Sequence, residues 1–284
     1  MIKLKPAPIL NLGAPGSGKT TALVTILADP DLKLIYLSTD PNGEQSLLHA
    51  LTEVYKIPEA QWKNRIFAHT VEPGAADWDT LLQVSETISL KNYQGLAQES
   101  GIEKAGFRQY IELINVCKNF TCSWTGTRLG DLTFVPPGHV LAFDGLSGLS
   151  TMARDLSIGA KPSLHEGEWN VAMNTVERFI RSLFKLPYPV IVLAHIERET
   201  DQVSGTSKVM ASTLGKKLAP KLAGMGFGEI VYSYKEGSNY FWSNLGGEVD
   251  TKKVILENGG KIFQSYKPFF KYWKTNMEAD IKQN

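Results

Sequence analysis

Gly13, Gly16, Gly18, Lys19 and Thr20 fall at the spacing G-x-x-x-x-G-K-[ST] inside ILNLGAPGSGKTTA, residues 9–22, and that spacing suits the holding of phosphates. Glycines let the backbone close around an anion, so that successive N–H groups point inward with no Cβ in the way. A helix starting near Gly18 would set its positive dipole end beneath the anion. Ala14, Pro15 and Ser17 complete the cradle. Lys19 would reach the β- and γ-phosphates, Thr20 would offer its hydroxyl to Mg²⁺, and Thr21 would touch the α-phosphate. The rival fingerprint G-x-G-x-x-G fails at its third glycine, where Thr21 stands, and has no use for a lysine. The chemistry indicated is that of a nucleoside triphosphate site.

A triphosphate site needs a metal partner and a group to handle the attacking water. Asp144 closes the apolar run Val140–Asp144, and a carboxylate at a strand tip suits a hard cation that keeps several waters. Asp40 ends another apolar run and could orient the water, although Asp40-Pro41-Asn42-Gly43 is also a turn signal. Glu44, at the next helical start, competes for the role of base. His195 follows the run Val190–Ala194, where an imidazole could sense the γ-phosphate or the water.

The elements that must position these residues alternate along the chain. Strands are predicted at Ile9–Leu12, Leu32–Thr39, Arg65–Val71, Val140–Asp144 and Val190–Ala194, with helices at Thr21–Ala28, Glu44–Tyr55, Ala75–Leu90 and Trp169–Leu186. That rhythm implies right-handed crossovers and a mostly parallel sheet flanked by helices, an α/β fold. Residues 91–138 interrupt it and read as a helical insertion, with a helix over Glu103–Phe120. Ser147–Glu168 and Glu197–Ser212 read as polar connections. A short helix carrying Lys216, Lys217 and Lys221 precedes a hairpin over Glu229–Tyr234 and Asn239–Ser243. Further strands are expected at Val249–Leu256 and Lys261–Tyr266, then a tail over residues 267–284. The whole reads as a single domain, 1–284.

At 284 residues, 43% hydrophobic and 21% charged, the chain has ordinary globular composition, with no run long enough to cross a membrane and no apolar leader at its start. Cys117 and Cys122 lack a second Cys or His pair, which argues against zinc and for reduced thiols, hence a cytoplasmic location. The net charge of +1 announces no nucleic acid, but the distribution is uneven: residues 200–284 hold 12 lysines against 8 acids.

The set Lys19, Asp40, Asp144 and His195 resembles the RecA-like ATPase core. Asp40 falls at the strand end where that family usually carries a catalytic glutamate. Asp144 in VLAFDGLSGL resembles its Walker B strand, and His195 the position of its γ-phosphate-sensing Gln or His. In lacking a domain ahead of the phosphate loop, the chain is most similar to the compact RecA-like proteins of bacteriophages, some of them implicated in single-strand annealing and recombination. The resemblance implies a Mg²⁺-dependent ATPase, in the host cytoplasm if phage-encoded, assembling as rings or filaments on single-stranded DNA. It makes Arg154, Lys161, Lys208, Lys216 and Lys217 candidate DNA contacts, and Lys252 and Lys253 candidates for a cation supplied across a neighbour's ATP. Asp40 is one methylene shorter than the family's glutamate, and residues 91–138 have no counterpart there.

Two other functions stay open on the sequence. A nucleotide-dependent switch or assembly factor could order the segment 147–168, the insertion and the aromatic tail Phe269–Trp273 around a protein partner. A small-molecule kinase would need lid arginines, for which Arg108 and Arg128 are available.

Overall fold

Short apolar runs bounded by turn residues become buried strands, because a sheet covered on both faces has no place for alternating polar side chains. The computed structural model describes residues 6–74, 77–91, 95, 107–159, 161, 165–200, 207–214, 217–246 and 249–281. In chain order the first strands are β1 (Ile9–Gly13), β2 (Lys33–Ser38), β3 (Ile66–Thr70), β4 (Phe120–Thr121), β5 (Arg128–Gly130) and β6 (His139–Asp144). They are followed by β7 (Val190–Ala194), β8 (Ile196–Thr200), β9 (Ser207–Ala211), β10 (Glu229–Glu236), β11 (Asn239–Ser243) and β12 (Ile262–Phe263). Eight of them make one mixed sheet in the order β12-β11-β10-β1-β7-β6-β2-β3. The strands from β10 to β3 run parallel; β11 and β12 add antiparallel to the β10 edge.

The strands predicted around the motif residues all appear, within a residue or two at their ends. Their helices are α1 (Lys19–Leu23), α2 (Gly43–His49), α3 (Glu59–Trp62), α4 (Trp78–Leu90) and α5 (Gln109–Lys118). After them come α6 (Leu146–Ile158), α7 (Glu166–Leu183), α8 (Leu218–Gly224) and α9 (Phe270–Ile281). The predicted helix Thr21–Ala28 begins two residues earlier and tightens into a 3₁₀ turn over Val24–Ala28, where the Thr25 hydroxyl bonds back to the Ala22 carbonyl at 2.7 Å. The predicted helix Glu44–Tyr55 is α2 followed by a π turn over Ala50–Val54.

Several expectations are corrected. Ser147–Glu168 is not a loop: its first half is α6, which buries Leu146, Leu149, Met152, Ala153 and Ile158 against the sheet and α7. Small residues hide this helix in the sequence, and tertiary contact demands them. A Cβ on Gly148 would stand 2.4 Å from the Thr39 hydroxyl oxygen. Glu197–Ser212 is likewise no simple connection, since β8 and β9 pair antiparallel from Ile196↔Ala211 to Thr200↔Ser207; residues 201–206 of that stretch lie outside the described residues. Val249–Leu256 is not a strand. Among the described residues its strand-type pairing is confined to the isolated bridges Val209↔Val249 and Ile230↔Lys252. The buried carboxylate of Glu229 accepts the N–H groups of Val254 and Ile255, both at 2.9 Å, and so diverts the backbone from a ladder.

The insertion contributes α5 and the hairpin β4–β5 among its described residues; most of 92–106 lies outside them. The tail is core. Phe269 and Trp273 are fully buried and close a ring cluster with Trp242 and Tyr266, the Trp242–Tyr266 centroids lying 5.0 Å apart. That packing accounts for the FFKYW stretch without a partner. No helix among the described residues is long and apolar enough to cross a membrane.

Candidate phosphate-binding site

Strand register gathers the motif residues at one edge of the sheet. Leu12 pairs with Ala194, Leu193 with Asp144, and Asp144 with Ser38. The carboxyl ends of β1, β7, β6 and β2 are therefore level, and the loops leaving them carry the phosphate loop, His195, Asp144 and Asp40. Because β7 lies between β1 and β6, His195 stands between the phosphate loop and Asp144.

The loop's glycines are needed for different reasons. At Gly13 a Cβ would approach Ser17 Oγ to 2.4 Å and the Ser233 carbonyl to 2.7 Å. Gly18 has φ +86° and caps α1, and a Cβ there would meet the Tyr240 ring at 2.7 Å. The β11–β12 edge thus leans on the loop, and Gln264 Nε2 donates to the Ser17 carbonyl at 2.8 Å and the Phe241 carbonyl at 3.0 Å. Beneath it, Ser233 Oγ donates to Asn11 Oδ1 at 2.5 Å, and Asn11 Nδ2 to the Tyr266 hydroxyl at 3.2 Å, pinning β1 from two sides.

Lys19 is 6% exposed, and its ammonium donates to the carbonyls of Gly13 at 2.7 Å and Ala14 at 3.0 Å. Burial lowers its pKa to about 8, against the opposing pull of Asp144 and Asp40. The ammonium spends its hydrogen bonds on neutral carbonyls, where the oxygens of a phosphate would be stronger acceptors. Ser17 Oγ is also buried with no hydrogen-bond partner among the described residues. Both observations fit a bound triphosphate.

Thr20 and Asp144 come from separate elements and meet: Thr20 Oγ1 donates to Asp144 Oδ2 at 2.9 Å. A hydroxyl and a carboxylate side by side are a fitting protein share for Mg²⁺, which keeps waters and takes the rest of its shell from substrate phosphates. Burial pushes the Asp144 carboxyl above its ordinary value, while hydrogen bonds from Tyr36 and Thr20 and the charge of Lys19 pull it back. Tyr36, fully buried on β2, donates to the same Oδ2 at 2.7 Å. No sequence motif marks Tyr36, Tyr240 or Gln264, which read as strand residues.

Asp40, Asp144 and His195 line one cleft of about 280 Å³ with Thr39, Ser147 and Thr151. Asp40 Oδ1 accepts the Asn42 N–H at 3.0 Å, so the turn forms while the carboxylate still borders the cleft. His195 is held below its usual pKa by burial and by the nearby Lys19 charge, hence neutral at pH 7, and its Nδ1 has no partner among the described residues. Glu44 is drawn elsewhere. Its Oε2 accepts the Ser123 hydroxyl at 2.7 Å and the Trp124 indole N–H at 2.6 Å, which fastens α2 to the β4–β5 hairpin.

The candidate DNA-contact cations scatter. Lys161 has a side chain only 2% exposed and is paired with Glu168 at 2.9 Å, so it offers nothing to a ligand at the surface. Arg154 pairs with Asp155 and Lys208 with Asp250, each at 2.8 Å, with the basic side chains 42% and 50% exposed. Lys217 is exposed, and Lys216 lies outside the described residues. Lys252 and Lys253 are exposed beside the start of β10, where Lys252 bridges to Ile230.

No protein-family model matches the chain, and no curated protein does. Among solved structures, the RadB recombinase is similar to it at a TM-score of 0.37 and 12% identity, over 84% of this chain and 81% of that one.

Proposed function

We propose that this chain is a Mg²⁺-dependent P-loop ATPase built on a RecA-like core. One observation carries the reading: a buried lysine inside a glycine loop, next to a threonine and an aspartate from a separate strand that already touch at 2.9 Å. Lys19 would exchange its two carbonyl contacts for phosphate oxygens, a charged acceptor in place of neutral ones. Thr20 and Asp144 would hold Mg²⁺, which when bound neutralises charge on the β- and γ-phosphate oxygens. Asp40, steadied by the Asn42 N–H, would take the proton of the attacking water. Neutral His195 would hydrogen-bond the phosphoryl oxygens or that water from the strand in between. Glu44 is not proposed as the base, because Ser123 and Trp124 hold its Oε2 against the β4–β5 hairpin.

The same reading includes self-assembly and a single-stranded DNA partner. Arg154, Lys208 and Lys217 are the cations available to DNA, and Lys252 and Lys253 the ones a neighbouring copy could receive across its ATP. Lys252 pairs three residues before Ser233, the β10 residue level with the phosphate loop, so it sits about 10 Å below its own site.

The test is phosphate release from Mg·ATP by wild type, Lys19→Ala and Asp144→Asn, with and without single-stranded DNA across a salt series. Turnover should fall by about 10²-fold or more in both variants. DNA stimulation that fades with salt would support the DNA partner. Wild-type turnover in Lys19→Ala would end the assignment, and phosphate recovered on a small molecule would turn it towards a kinase.

A further inference from the structure

Resting on the ATPase reading, we propose that Tyr36 is a positioning residue for the metal-binding carboxylate, its hydroxyl fixing which Asp144 oxygen faces the cation. Tyr36 is fully buried and two residues short of the end of β2. A phenylalanine would fill the same core space and desolvate no hydroxyl, so the oxygen calls for a reason. The reason is at hand: the hydroxyl donates to Asp144 Oδ2 at 2.7 Å, a short bond to an ionisable acceptor that is itself 6% exposed. Thr20 Oγ1 donates to the same oxygen at 2.9 Å. With Oδ2 engaged twice, Oδ1 is the oxygen left without a hydrogen-bond donor among the described residues.

The surroundings hold the tyrosine in place. Side chains two apart on a strand share a face, so Tyr36 and Ser38 lie together, and Ser38 is the register partner of Asp144. The chain entering α2 closes over them: a Cβ on Gly43 would stand 2.6 Å from the Tyr36 hydroxyl and 2.2 Å from Ser38 Oγ. The Gly43 backbone therefore packs closely against the Tyr36 hydroxyl. A hydrogen-bonded partner behind a metal-ligating carboxylate sets its orientation, and losing such a partner typically weakens metal binding by about 10–100-fold.

The experiment measures Mn²⁺ binding to the protein–ADP complex by the loss of the free Mn²⁺ electron paramagnetic resonance signal, in wild type and Tyr36→Phe. ADP affinity without metal and the thermal midpoint are followed in parallel. The expected result is Mn²⁺ affinity weakened about tenfold in Tyr36→Phe with metal-free ADP affinity unchanged. In an Asp144→Asn background the same substitution should change Mn²⁺ affinity no further. Mn²⁺ affinity within twofold of wild type in Tyr36→Phe, whatever the midpoint does, overturns the proposal and leaves the ATPase reading standing. A wild type that binds neither ADP nor Mn²⁺ overturns both.

Discussion

Placing Lys19 in a dry loop has a consequence measurable as protons. With its pKa near 8 in the nucleotide-free protein, Lys19 at pH 8.5 carries a proton in only a minority of molecules. A triphosphate favours the charged form and should return the pKa towards the ordinary lysine value of about 10.4. Binding at pH 8.5 should therefore take up about three-quarters of a proton, and at pH 7 only about a tenth. The sign follows from linkage: the bound state holds more protons than the free state between the two pKa values, so affinity weakens as pH rises through that window. The phosphates of the nucleotide are fully ionised at pH 8.5, and His195, with its lowered pKa, is neutral there and adds nothing. Calorimetric titration of a non-hydrolysable ATP analogue in two buffers of different ionisation heat reads the uptake directly. Lys19→Met should bind more weakly and take up no proton. Uptake near zero in the wild type at pH 8.5, or equal uptake in Lys19→Met, would refute the reasoning.

Other substitutions test the frame around the loop. Gly18→Ala meets both a left-handed φ of +86° and the Tyr240 ring, so ATP binding should be lost along with about 1–2 kcal/mol of stability, read from nucleotide titration and urea melts. Trp273→Ala removes a fully buried ring from the tail cluster and should cost about 3–5 kcal/mol in urea midpoints, which a solvent-facing tail would not do. Trp124→Phe frees one contact on Glu44 and should loosen the segment between Asp40 and α2. A severalfold loss of kcat with nucleotide affinity unchanged is the expected steady-state result, and an unchanged kcat would show that the insertion hairpin does not position Asp40.

Legibility followed the range of the interactions involved. The buried strands were readable because each is a local run of apolar residues, and the turn at Asp40 because Asp, Pro, Asn and Gly bend the chain by their own geometry. Helix α6 was not, since Gly148 within it and Gly145 at its start answer to Thr39, which is more than a hundred residues away. The antiparallel pairing of β8 with β9 rests on backbone bonds that their polar side chains do not advertise. The stretch Val249–Leu256 has strand composition, yet Glu229 claims its N–H groups. Lys161 looked like surface charge until Glu168 paired with it in the interior.

The sequence by itself determined the candidate phosphate loop, because glycine spacing and one lysine carry that signal within a few residues. It also placed Asp40, Asp144 and His195 at strand ends, because apolar runs stop where they do. Only the tertiary structure decided that these ends are level, that His195 stands between loop and carboxylate, and that Glu44 turns away to Trp124. Register and strand order arise from contacts between distant segments, and those same contacts assign Tyr36 to Asp144 and Gln264 to the phosphate loop. A side chain's partner across the fold leaves no mark in its neighbours along the chain.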